Sequence, residues 1–128
     1  MGKKILVVDD EEIVRKGLKI HLTKSGYNVE EAADGEEAIE WMKKNNFDLL
    51  ICDIMMPKKD GWEVLKFVRS QTRTEDLPVI FLTAKSQDSD MFEGYERGAN
   101  YYITKPFTKS QLLFGVNLML GKERNPSY

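Results

Sequence analysis

Short, dense apolar runs alternate along the chain with longer stretches in which apolar residues recur every three or four positions. The runs are Ile5-Leu6-Val7-Val8, a weaker Tyr27-Asn28-Val29, Leu49-Leu50-Ile51-Cys52, Val79-Ile80-Phe81-Leu82 and Tyr101-Tyr102-Ile103. Each is followed by polar or turn residues, which predicts a strand. Three are continuously apolar instead of alternating, the pattern of parallel strands covered on both faces. Helical spacing fills the intervals: Ile13, Val14, Leu18 and Leu22; Ala38, Ile39 and Met42; Val64, Leu65 and Val68; Met91, Phe92 and Tyr95; Leu112, Val116 and Leu120. Ser25-Gly26, Asn45-Asn46, Gly98 and Gly121 supply stop signals for the first, second, fourth and fifth of these segments. The order βα, five times over, predicts an α/β doubly wound open parallel sheet. Its ligand crevice lies at the carboxyl ends of the strands.

Composition narrows the class. A chain of 128 residues with 41% hydrophobic and 31% charged residues fits one globular domain, expected over 1–121 and followed by a polar tail, 122–128. A formal charge of -2 gives no electrostatic reason to bind a polyanion, so direct nucleic-acid binding is not expected. No apolar run approaches the ~18 residues of a membrane span, and the run after Met1-Gly2-Lys3-Lys4 is too short for a signal-peptide core. The single cysteine, Cys52, has no intramolecular partner and reads as a small buried hydrophobe, which together with these absences leads to the cytoplasm as the expected compartment.

The crevice rule directs attention to the strand ends: Asp9-Asp10 after the first, Asp53 after the third, Thr83 after the fourth and Lys105-Pro106 after the fifth. Each alone has an ordinary explanation. Asp9 or Asp10 suits a helix cap, Asp53 a turn, Thr83 a cap and Lys105 a solvated surface charge. Together they converge on one end of one sheet. Three close carboxylates require a shared proton or a cation, and oxygen ligands without Cys or His favour Mg²⁺ over zinc. A neighbouring ammonium and hydroxyl are the groups that stabilise a phosphoryl group in transfer. No G-x-x-x-x-G-K-[ST] loop is present, so a nucleoside triphosphate is not the expected phosphoryl source. His21, Trp41 and Trp62 read as boundary residues of amphipathic helices, and Lys58-Lys59 as solvated.

Ile5 to Glu11, Asp53-Ile54-Met55-Met56-Pro57 with Asp60-Gly61, Leu82-Thr83-Ala84-Lys85, and Gly98-Ala99 through Tyr102-Ile103-Thr104-Lys105-Pro106-Phe107 resemble, in order and spacing, the motifs of the receiver domains of two-component response regulators, the chemotaxis-regulator type included. The resemblance covers nearly the whole chain. It implies a five-stranded sheet in order 2-1-3-4-5 and a phosphorylation-activated switch. Carried over residue by residue, Asp53 is implied as the acceptor of a phosphoryl group from a sensor histidine kinase or histidine phosphotransfer protein. Asp10, Asp53 and the Met55 carbonyl are implied as Mg²⁺ ligands, with Asp9 acting mainly through water. Thr83 and Lys105 are implied to hold the phosphoryl oxygens, Thr83 and Tyr102 to move on activation, and the Lys105-Pro106 bond to be cis. The domain is implied to promote its own phosphotransfer without releasing a product, so it is not an enzyme in the ordinary sense. Two positions depart from the pattern: Asn100-Tyr101 replaces a common acidic pair, and Gly115 stands where many DNA-binding relatives carry an arginine used in dimer contacts.

Two other readings compete. An Mg²⁺-dependent aspartyl-phosphate hydrolase would use a similar residue set, but such enzymes usually place a second aspartate two residues after the nucleophile, where Met55 stands here. A phosphorylation-independent interaction module would not need the intact acid set. The implied output face comprises the fourth helical segment, the fifth strand and the fifth helical segment. Independently, with Leu112, Val116 and Leu120 turned inward, the helical wheel sends Phe114 and Leu118 to solvent, and Tyr101 is expected to extend that patch toward an output partner or a second copy.

Overall fold

The computed structural model describes residues 2–84 and 98–121. Its elements are β1 (Lys4–Val8), α1 (Glu12–Lys24), β2 (Asn28–Ala32), α2 (Gly35–Lys44), β3 (Leu49–Asp53), α3 (Gly61–Ser70), β4 (Val79–Ala84), β5 (Tyr101–Lys105) and α4 (Lys109–Leu120). The helix expected around Met91, Phe92 and Tyr95 and the tail expected over 122–128 lie outside the described residues.

All strand pairings are parallel, and the sheet order is β2-β1-β3-β4-β5. The continuous apolar runs are explained by the two cores they serve. On one face Ile5 and Val7 pack with Leu18 and Leu22 of α1 and with Leu112 and Val116 of α4. On the other, Leu6 and Val8 pack with Ala38 and Met42 of α2 and with Val64 and Val68 of α3. Successive side chains of a strand point to opposite faces, so a strand with helices on both sides must be apolar at every position. Cys52 is buried and unpaired, as expected, and burial pushes its thiol well above the ordinary range.

Local signals set the element ends. Asp34 caps α2 by accepting from the Glu37 N–H, Asp60 and Glu63 form a reciprocal box at α3, and Thr108 and Gln111 do the same at α4. Gly26 and Gly121 take positive φ after α1 and α4, with Gly121 in the left-handed conformation that ends a helix.

Three expectations are corrected. Ile13 is not core: it is 88% exposed, because α1 turns Leu18 and Leu22 to the sheet and leaves Ile13 on its outer side. Leu120 is only half-buried at the last turn of α4. The second strand is Asn28–Ala32, displaced from the apolar run at 27–29; as an edge strand it buries only Val29 and Ala32, and Asn28, Glu30 and Glu31 occupy the remaining positions.

Candidate functional site

The parallel register carries four strand ends to one rim. Val8 pairs with Cys52, Asp53 with Leu82, Thr83 with Thr104 and Ala84 with Lys105. Asp9 follows β1, Asp53 ends β3, Thr83 lies in the last turn of pleat of β4, and Lys105 ends β5. Asp9, Asp53 and Thr83 are buried, whereas Asp10 is exposed. Carboxylate oxygens of Asp9, Asp10 and Asp53 all lie within 4.8 Å of one another. The Lys105 ammonium lies 2.9 Å from Asp9 Oδ2, 3.1 Å from Glu11 Oε1 and 3.5 Å from Asp53 Oδ2. The Lys105-Pro106 peptide bond is cis, in line with the expectation.

The electrostatics follow from this crowding. Burial first, and then the Asp9 carboxylate, push the Asp53 carboxyl up to about 6; Lys105 pulls it down and Asp10 adds to the rise. Burial alone would depress the Lys105 ammonium. The hydrogen bond to Asp9 and the charges of Asp53 and Asp9 outweigh it and hold Lys105 above its ordinary value.

Asp9 Oδ2 is shielded from solvent and accepts no aligned hydrogen bond among the described residues, although the Lys105 ammonium sits beside it. A buried carboxylate oxygen whose neighbouring ammonium is shared with Glu11 and Asp53, within a three-acid cluster that has no sulfur or nitrogen donor, fits a hard divalent cation. One lysine cannot neutralise three carboxylates. Asp10, Asp53, Thr83, Lys105 and the largely exposed Met55 line a single open cleft of about 780 Å³, which continues between α1 and the start of α4 past Val14, Gly17 and Phe107. His21 is half-buried along the same cleft and is no member of the acid cluster.

The remaining candidates lie elsewhere. Tyr102 is buried on the α2/α3 side, its ring edge-on to Phe81 at 5.7 Å, and Phe81 in turn meets Trp62 at 5.3 Å. Trp41 is half-buried and donates to the Glu31 carbonyl. Phe114 and Leu118 are 61% and 52% exposed on α4. Tyr101 does not stand out with them: it is half-buried, and its ring occupies the space a side chain at 115 would need, since a Cβ on Gly115 would lie 2.9 Å from the Tyr101 ring. Tyr101 and Gly115 thus pack directly against one another.

Sequence reasoning missed three charged residues. Glu11 pairs with Lys105, and Arg15 links the Asp9 carbonyl to Glu31. Strand pairing and helix rotation bring these groups together, and neither is visible from a local motif.

Comparison with known proteins agrees with this geometry. The family model described as the response regulator receiver domain matches residues 5–117. The transcriptional regulatory protein ResD of Bacillus subtilis is 39% identical over 125 residues, 98% of this chain and 51% of that protein. The chain spans about half the length of the curated relatives it matches. A putative response regulator from Chloroflexus aurantiacus superposes with a TM-score of 0.91 at 39% identity, covering 95% of this chain and 100% of that one. The receiver domain of the sensor histidine kinase PA1611 from Pseudomonas aeruginosa superposes with a TM-score of 0.87 at 28% identity, over 95% of this chain and 100% of that one; its structure has a magnesium ion coordinated in the active-site cleft. The chain belongs to the response regulator receiver domain family, the phosphorylation-activated signalling domains of two-component systems.

Proposed function

We propose that Asp53 accepts the phosphoryl group. The observation that carries this reading is the clustering of the buried Asp53 carboxylate with those of Asp9 and Asp10 beside the Lys105 ammonium, at the open rim of the sheet. A carboxylate oxygen of Asp53 attacks phosphorus, the bond from phosphorus to the donor's imidazole nitrogen breaks, and the imidazole leaves with its electron pair. Lys105 and Thr83 receive the phosphoryl oxygens. Asp10, Asp53 and the Met55 carbonyl would hold Mg²⁺, with Asp9 supporting it through water. The ion would supply positive charge against the acids and the transferring group. Asp9 fixes Lys105 at 2.9 Å, so the ammonium is already positioned when the charge on Asp53 is taken up by the phosphoryl group.

The proposed donor is a sensor histidine kinase or a histidine phosphotransfer protein, and the compartment is the cytoplasm. The domain promotes its own phosphorylation and dephosphorylation and releases no product of its own. Thr83 and Tyr102 change position with phosphorylation, and the exposed Phe114 and Leu118 engage an output partner or a second copy, with the half-buried Tyr101 beneath them. The receiver domain is proposed to extend over 1–121.

Incubation with acetyl phosphate and Mg²⁺ tests the reading against its competitors. A receiver gains at most one base-labile phosphoryl group, lost in Asp53→Asn, and does not turn over p-nitrophenyl phosphate. A hydrolase releases p-nitrophenol continuously; an interaction module takes up no phosphoryl group.

A further inference from the structure

α1 begins differently from the other described helices. Asp34, Asp60 and Thr108 cap the helices that follow them, whereas Glu11, in the same position before α1, makes no side-chain capping bond. The turn that must present Asp9 and Asp10 side by side therefore lacks a capping bond from the Glu11 side chain, while two adjacent carboxylates near Asp53 repel one another. Its main chain is held by one bond within the turn and by two from β2 and α1. The Asp9 N–H donates to the Ala32 carbonyl of β2 at 3.2 Å, and the Glu11 N–H to Asp9 Oδ1 at 2.9 Å. Arg15 Nη1 donates to the Asp9 carbonyl at 2.8 Å, and Nε of the same guanidinium donates to Glu31 Oε1 at 2.9 Å.

An ordinary staple between α1 and β2 would not require this arginine. Lys16 and Lys19 already reach Glu31 at 3.1 and 3.5 Å, from side chains that are 52% and 43% exposed. Of these three cations Arg15 is the one bonded to the Asp9 carbonyl, and it and Glu31 are only 14% and 15% exposed. A guanidinium offers two divergent donors in a fixed plane, which a single ammonium does not.

We infer that Arg15, oriented by Glu31, is a positioning residue for the acid pair: through the Asp9 carbonyl it fixes the turn that aims Asp9 and Asp10 at a divalent cation beside Asp53. The inference rests on the Mg²⁺ reading proposed above. Arg15 touches neither ion nor phosphoryl group; it sets the geometry of groups that do, as outer partners of metal ligands commonly do.

The test is calorimetric titration of Mg²⁺ into the full chain, well below each variant's melting temperature. Arg15→Ala is expected to weaken binding about tenfold, with at most partial recovery in Arg15→Lys. Glu31→Ala weakens it less, and the double variant Arg15→Ala with Glu31→Ala binds no worse than Arg15→Ala alone, because Glu31 acts through Arg15. A purely structural staple shifts melting temperature and leaves these affinities unchanged. Wild-type affinity in Arg15→Ala, or additive losses in the double variant, overturns the positioning role. If Arg15→Ala does not fold, wild-type affinity in both Arg15→Lys and Glu31→Ala overturns it. A wild type that binds no Mg²⁺, or an Asp10→Asn variant that binds as well as wild type, overturns the metal reading and this inference with it.

Discussion

The Asp53 carboxyl is held near 6 by burial and by Asp9, against the pull of Lys105. In the unfolded chain an aspartate titrates near 3.8. Between those values the folded state binds the extra proton, so folding stability falls as pH rises through the window and reaches its low plateau above about 6. The loss amounts to at most about 3 kcal/mol. In chelator-containing buffer Asp53→Asn is therefore expected to melt above wild type at neutral pH, and the gap closes as pH falls below about 4. Mg²⁺ narrows it at neutral pH by stabilising wild type. A gap that does not change with pH contradicts the crowded cluster. Asp9, Asp10, Asp53, Thr83 and Lys105 were all legible in the sequence because each stands at the carboxyl end of an apolar run. Arg15, Glu11 and Glu31 were not, because a charge on a helix face, at a helix start or on an edge strand reads as solvated until the rotation of α1 against β2 and the position of β5 are known.

Among the elements, close backbone approach explains which glycines are tied to the site. A Cβ on Gly61, at the start of α3, would lie 2.7 Å from the Asp53 carbonyl oxygen and 2.8 Å from Ile54 Cα. Gly61→Ala is expected to destabilise the chain by about 1–3 kcal/mol in urea unfolding and to slow Asp53 labelling, since the end of β3 must move. Gly17, inside α1, has nothing within 4 Å of a built Cβ. Gly17→Ala is expected to stabilise the chain by up to about 1 kcal/mol; destabilisation there would show a constraint on α1 that its packing does not contain. Apolar periodicity identified each described helix and strand. It misassigned Ile13, because four apolar positions on one helix face do not say how far the inward stripe extends. It also displaced β2, because an edge strand buries too few residues to form a run.

For the whole molecule, periodicity alone supplied the alternation of strands and helices, and the crevice rule supplied the end at which chemistry gathers. The order 2-1-3-4-5 came from the family resemblance, since every parallel strand reads alike in sequence and only pairing distinguishes its neighbours. The exposure of Phe114 and Leu118 followed from the helical wheel, whereas the packing of Tyr101 on Gly115 needed the register of β5 against α4. If Phe114 and Leu118 form an output surface, Phe114→Asp with Leu118→Lys abolishes self-association or partner capture in sedimentation and leaves phosphoryl uptake intact; unchanged association in both phosphorylation states assigns output elsewhere. All of this depends on where the phosphoryl group goes. Borohydride reduction converts an aspartyl phosphate to homoserine, which peptide mass spectrometry locates. After treatment with acetyl phosphate and Mg²⁺, homoserine is expected at position 53 and at no other acid, and it is absent when the metal is chelated. Homoserine at Asp9 or Asp10, or none at position 53 in a folded, Mg²⁺-loaded protein, contradicts the assignment of Asp53 as the acceptor.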